Sequence, residues 1–383
     1  MYTKFPWIPV NVVVHFAVAG ADRSRNRCLV VGPAPATHPR LSRKSEPMQT
    51  NLPLGFLLVV AAGAMVGNFM LPFKGVRKWK WENTWLLFTV VALVAIPFAA
   101  AFASAPNLLA VYAACSARDM LPSLLFGFGW GIAQVLFGIT VVNLGMALGF
   151  AIVISLGSTF GTLVPLLVQR PEVLASRKGA LLLTGMAVML AGTAVCGYAG
   201  RLREKAEGAP GQRQASAFRA AMILAVVCGL LAPMINFGFA FGTGVVRQAL
   251  QLGVAPGNTS FVVWPLVLLG GLLPNIGYAA YLLTRNHTWG LFRGGWSDAG
   301  LSVAAGFLWA GALLLYGVAS RQLGALGTSA GWGLYQILMI ICANVSGLIT
   351  GEWAGAGRRP VRVLVAGLAL LAVATVSMSL ANR

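Results

Sequence analysis

Ten runs of about 20 apolar residues, set apart by short polar connections, leave this chain few ways to fold. They lie near 52–73, 84–104, 120–141, 145–168, 179–199, 220–241, 260–284, 299–320, 328–350 and 362–381, and their interiors hold no Asp, Glu, Lys or Arg. A helix of that length crosses roughly 30 Å of hydrocarbon while satisfying its own backbone groups. Barrel strands are about half as long and alternate in polarity, which these runs do not. The expected fold is an all-α integral membrane protein of ten transmembrane helices. Composition agrees, since 58% hydrophobic and 10% charged residues exclude both a soluble globular domain and a disordered chain.

The net charge of +19 does not point to nucleic acid. The bases sit in short loops between apolar runs instead of forming one stripe interleaved with aromatics. Within 48–383, loops such as Lys74–Lys80 and Arg201–Arg219 concentrate Lys and Arg on one side of the membrane, which the positive-inside tendency places in the cytoplasm. The bases of residues 1–47 would cancel that asymmetry. Three readings of 1–47 stand open: a weak signal peptide, a disordered tail, or a start upstream of a true initiation at Met48. The 201–219 link divides the remainder into a 48–200 half and a 220–383 half, five spans each.

The chain also repeats itself. At an offset of 179, GFGWGIAQVLFGITVVNLG (127–145) aligns with GFLWAGALLLYGVASRQLG (306–324), pairing Trp130 with Trp309. Asn68-Phe69 in span 1 likewise matches Asn236-Phe237 in span 6, with Phe73 and Phe241 each four residues further on. The partners are five crossings apart, so the copies enter the bilayer in opposite directions and the repeat is expected to be inverted. Secondary transporters recurrently use this architecture, with a midplane site between halves that rock.

Four segments carry a family likeness: PFKGVRKWKWE (72–82), LPSLLFGFGWGI (121–132), NLGMALGFAI (143–152) and EWAGAGRRPVRVL (352–364). In their order and separation they resemble the L-rhamnose/proton symporter family of the drug/metabolite transporter superfamily, over about 48–383. The resemblance implies ten helices in two inverted halves. It also implies uptake of L-rhamnose or a similar sugar, with the proton as coupling ion, across a bacterial inner membrane. Gly306–Ala330 departs from the family pattern by lacking most of its acid, amide and His groups. Another small metabolite, or the export direction, is therefore the alternative reading.

A sugar site needs a few hydrogen-bonding side chains beside aromatic faces. The candidates are Asn68, Trp130, Gln134, Asn236, Trp309, Trp332, Gln336 and Asn344, with Gln134 one helical turn from Trp130 and Trp332, Gln336 and Asn344 near one face of span 9. Each amide could equally hold two helices together, and each Trp anchor an interface. No span interior holds an ionisable group, so the proton-coupling candidates are the edge residues Lys74, Glu82, Asp119 and Glu352, for which a loop ion pair or helix-end charge is the alternative. Gly145/Gly149 and Gly157/Gly161 read as packing positions, and Gly127, Gly129 and Gly131 as a flexible stretch. Scattered cysteines and three His outside the spans leave no metal site, no cofactor and no acid/base machinery for an intramembrane enzyme.

Overall fold

The computed structural model describes residues 50–206 and 215–381; the 1–47 extension, and 207–214 within the central link, lie outside the described residues. Among the described residues every regular element is helical. Ten stretches are long and apolar enough to cross a membrane. Spans 1–5 are Leu52–Gly75, Trp81–Ser104, Ala117–Val141, Ala147–Gln169 and Arg177–Ala206. Spans 6–10 are Phe218–Gln251, Pro256–Arg285, Trp296–Gln322, Ala330–Ile349 and Arg358–Ala381. Successive crossings put the Lys74 end of span 1 and the Arg321 end of span 8 on opposite faces of the membrane.

Most spans extend beyond the apolar runs because charged and polar residues complete their first turns. Asp119 accepts from the Ser116 backbone N–H at 3.0 Å and from its hydroxyl at 2.7 Å, a capping arrangement that starts span 3. Glu204 of span 5 reaches back to the Ala147 N–H at 3.0 Å, so a carboxylate sits at the N-terminus of span 4, where the helix dipole favours it. The turn joining spans 3 and 4 needs the left-handed φ of +83° at Gly145, accessible there because glycine lacks Cβ.

Two spans are irregular where the hydrophobic pattern reads as continuous. Span 2 passes through a π turn at Val91–Ala95 immediately before Pro97, whose ring and missing N–H disrupt the regular ladder. Span 6 consists of three pieces, Ala215–Leu231, Met234–Ala240 and Thr243–Gln251, interrupted at Pro233 and again at Phe241–Gly242. Proline and glycine break the ladder without lowering apolarity, so hydropathy alone predicts one unbroken helix ending near 241.

Span 5 packs along span 10, span 3 along span 7, span 1 against spans 8 and 9, span 6 against spans 3 and 4, and span 2 against spans 7 and 8. Spans 4 and 9 also touch, as do spans 4 and 5 and spans 9 and 10. Exchanging each span with the one five places away leaves these pairs unchanged, whereas the contacts of span 7 with spans 6 and 8 and of span 5 with span 9 have no counterpart of similar extent. Glycines permit the closest crossings. A Cβ on Gly131 would lie 2.7 Å from the Gly271 carbonyl oxygen, and one on Gly271 would lie 2.6 Å from the Trp130 ring. Gly127 and Gly131 thus serve close approach of spans 3 and 7, where the sequence suggested flexibility.

Candidate functional site

At the centre of the bundle the two tryptophans paired by the repeat meet each other. Trp130 and Trp309 stack with ring centroids 5.4 Å apart and planes 22° from parallel. Both are buried, and Gly271 leaves the space that the Trp130 ring fills. An aromatic series continues toward the Lys74 face: Trp309 meets Phe88 edge-on, Phe88 meets Trp85, and Trp85 stacks on Trp81 at 5.0 Å. The Trp85 indole donates to the Asn275 side-chain oxygen at 3.2 Å, and the Asn275 amide donates to the Gly271 carbonyl at 2.9 Å. Spans 2, 3, 7 and 8 thereby share one aromatic wall with one amide in it.

A second cluster lies toward the Arg321 face. Asn236, on the short middle helix of span 6, donates to the carbonyls of Gly161 at 2.9 Å and Thr328 at 2.8 Å. Its side-chain oxygen accepts the Tyr316 hydroxyl at 2.8 Å. Tyr316 in turn contacts Trp332 and Tyr335, and Trp264 stacks on Phe239 at 4.5 Å. Trp332 fits against Gly157 and Gly161, donating its indole N–H to the Gly157 carbonyl at 3.4 Å. Gly161 therefore serves packing, as the spacing suggested, whereas a Cβ on Gly157 would meet only Ala232 at an ordinary 3.5 Å.

The amides paired by the sequence repeat do not share an environment. Asn236 is fully buried with its hydrogen bonds made, whereas Asn68 ends the regular helix of span 1 and donates to Ala64 of its own helix at 2.7 Å, its buried oxygen having no partner among the described residues. Asn344 likewise bonds back to Ile340 at 2.8 Å. Gln134 is half-buried and Gln336 buried, and neither side chain makes a hydrogen bond among the described residues.

The four ionisable candidates divide by surroundings. Asp119 caps its helix and pairs with Arg247 at 3.0 Å on the Arg321 face. Lys74 pairs with Glu352 across the opposite face, Arg203 approaches the other Glu352 oxygen at 3.9 Å, and all three remain part-exposed. Glu82 is different. It is only 5% exposed, and the same carboxylate oxygen accepts from the Asn286 amide at 3.0 Å and the Thr288 hydroxyl at 2.9 Å. Both donors are neutral and come from the turn after span 7, so a span 2 carboxylate is held to the other half of the chain without a salt bridge among the described residues.

Sequence reasoning missed three groups. Asp298, 2% exposed, accepts the backbone N–H groups of Arg77 at 3.2 Å, Lys78 at 2.7 Å and Trp79 at 2.8 Å. The Trp79 indole donates to Leu291 at 3.1 Å and Gly294 at 2.8 Å. The VRKW segment after span 1 is thus clamped on the start of span 8. The other two groups are Trp85 and Trp264, which stand in the same 179-residue relation as Trp130 and Trp309. Extending the repeat alignment upstream would have found them. On the connecting helix Leu108–Ala114, Tyr112 donates to the Val262 carbonyl at 2.8 Å, and burial pushes its phenol pKa up.

Comparison with known proteins identifies the group to which this arrangement is related. The profile of the L-rhamnose-proton symport protein family matches residues 48–382. The chain belongs to this family. It is a multi-pass membrane protein whose curated relatives are named as transporters. The L-rhamnose-proton symporters of Escherichia coli O157:H7 and of Shigella boydii serotype 18 are each 29% identical to it over 347 residues, covering 88% of this chain and 100% of theirs. Within the symport family, then, the first-half segments flagged above acquire structural roles: the Trp79 clamp lies in PFKGVRKWKWE and the central Trp130 in LPSLLFGFGWGI.

Proposed function

We propose that the protein takes up L-rhamnose or a similar deoxy-sugar together with protons, by alternating access across a bacterial inner membrane. Family membership over residues 48–382 carries this reading. Two inverted five-span halves, 48–200 and 220–383, form the moving parts, a reading supported by the exchange symmetry of the span contacts and by the broken span 6. Sugar C–H surfaces would lie on aromatic faces between the two halves. Hydroxyls would bond to amides including Gln134 and Gln336, while Asn236 holds the fold of span 6.

Glu82 is the proposed proton acceptor, supported by its burial among neutral donors from the opposite half. Protonation would neutralise the acceptor of both hydrogen bonds and loosen the contact between halves at the Lys74 face, coupling proton arrival to opening. Glu352 and Asp119 already have cationic partners in Lys74 and Arg247. The altered Gly306–Ala330 stretch favours one second reading, transport of a different small metabolite by the same fold.

Uptake of labelled L-rhamnose by transporter-deficient cells expressing the full chain tests the proposal. Accumulation abolished by an uncoupler is expected, and Glu82→Gln should lose accumulation while retaining downhill exchange. No uptake by well-inserted protein removes L-rhamnose as substrate. Net loss of preloaded sugar removes the uptake direction.

A further inference from the structure

Several hydroxyls inside the spans follow one habit. Thr159, Thr193, Thr375 and Ser379 donate to the carbonyl four residues earlier, at 2.7–2.9 Å. Among the described residues five buried hydroxyls have no partner, those of Thr89, Thr140, Ser158, Thr162 and Ser260, and of these Ser158 and Thr162 lie together on one helix. They are 1% and 0% exposed, and neither hydroxyl has a hydrogen-bond partner among the described residues. Four residues apart on span 4, they share one face. That face meets span 9, since a Cβ on Gly333 would lie 3.1 Å from the Thr162 oxygen. The antiparallel register of spans 4 and 9 carries Gln336, one turn beyond Gly333, to the level of Ser158. Gln336 is 7% exposed and makes no side-chain hydrogen bond among the described residues. Two unsatisfied hydroxyls and an amide without a hydrogen bond thus stand at neighbouring levels, beside the Trp332 ring packed on Gly161.

We propose that Ser158, Thr162 and Gln336 form a hydroxyl-binding strip for a monosaccharide, with Trp332 as its aromatic face. The proposal rests on the transport reading above and names the subsite. Burying unpaired polar groups in an apolar interior is costly, and the cost is recovered when a ligand supplies the missing partners. A polyhydroxylated ligand fits this set, because hydroxyls and an amide both donate and accept and no charge is present. Spans 4 and 9 belong to opposite halves of the chain, so rocking one half against the other separates the two sides of the strip and admits the ligand. Thr159 on the same helix does bond back to the Ser155 carbonyl, so span 4 could have satisfied the two hydroxyls internally.

The test uses the full chain in nanodiscs and in transport-deficient cells, with L-rhamnose and a panel of other monosaccharides as probes. Ser158→Ala with Thr162→Val should raise the KM or Kd for the bound sugar about tenfold. Thermal stability without sugar should hold or rise, because orphaned polar groups are removed. Thr162→Ser, which keeps the hydroxyl, should retain wild-type affinity, and Thr159→Val should do the same. Unchanged affinity in the double variant overturns the strip and leaves the transport reading standing. A Thr162→Ser loss as large as that of Thr162→Val also overturns it, by exposing a packing role. Wild-type protein that ignores L-rhamnose but binds another monosaccharide with the same variant pattern supports the strip and removes the rhamnose reading. Wild-type protein that binds no monosaccharide removes both.

Discussion

Asn236→Ala is the substitution whose cost can be worked most directly from the geometry. It deletes two donor contacts, to Gly161 and Thr328, and the acceptor of the Tyr316 hydroxyl. Hydrogen bonds inside membrane proteins average about 0.6 kcal/mol, which gives roughly 2 kcal/mol for three. Tyr316 is fully buried, so its stranded hydroxyl adds on the order of 1–2 kcal/mol. The expected loss is about 3–4 kcal/mol. Asn68→Ala serves as the control, because among the described residues that amide bonds only within its own helix and its removal should cost about 0.5 kcal/mol or less. Reversible unfolding of purified protein in mixed micelles, followed by tryptophan fluorescence, measures both. Tyr316→Phe completes a double-mutant cycle with an expected coupling of about 1 kcal/mol, since each single change already breaks the shared bond. Equal losses from Asn236→Ala and Asn68→Ala would refute the assignment of Asn236 as the tie that holds the broken span 6.

Other consequences are checked by the same unfolding assay or by transport. Gly271→Ala places a Cβ 2.6 Å from the Trp130 ring and 3.2 Å from the Gly127 carbonyl oxygen, so it should destabilise by about 1–3 kcal/mol and disturb the central stack, visible in the near-ultraviolet dichroism. Asp298→Asn exchanges a carboxylate that receives three backbone N–H groups for a neutral amide, and faster proteolysis in the 74–80 loop is the expected result. Lys74→Ala removes an ion pair between part-exposed partners and should cost about 1 kcal/mol or less, with the effect shrinking further in high salt.

The number of crossings and the helical class could be read from the chain alone, because both rest on local apolar length, while residues repeated at a fixed offset gave the pairing of the two halves as an expectation. Trp130 and Trp309 were visible for the same reason. The repeat did not reveal that the two rings stack on each other, a fact decided by how spans 3 and 8 are brought together across glycine contacts with span 7. Nor could it distinguish Asn68 from Asn236, identical residues in matched positions. One lies at the end of a regular helix, while the other lies on a short helix after Pro233 whose surroundings offer two carbonyls and a tyrosine.

The ionisable groups show the same division. On the chain, Glu82, Asp119 and Glu352 are equivalent acids at helix edges. Their partners arrive from Asn286 and Thr288, from Arg247, and from Lys74, each more than a hundred residues away. Asp298 drew no notice because its partners are backbone N–H groups, which carry no signature in side-chain identity. Local hydrophobicity therefore determined how many times this chain crosses the membrane. Only long-range packing decided which polar atoms are satisfied, because a hydrogen bond depends on where distant segments meet and not on the residues beside it.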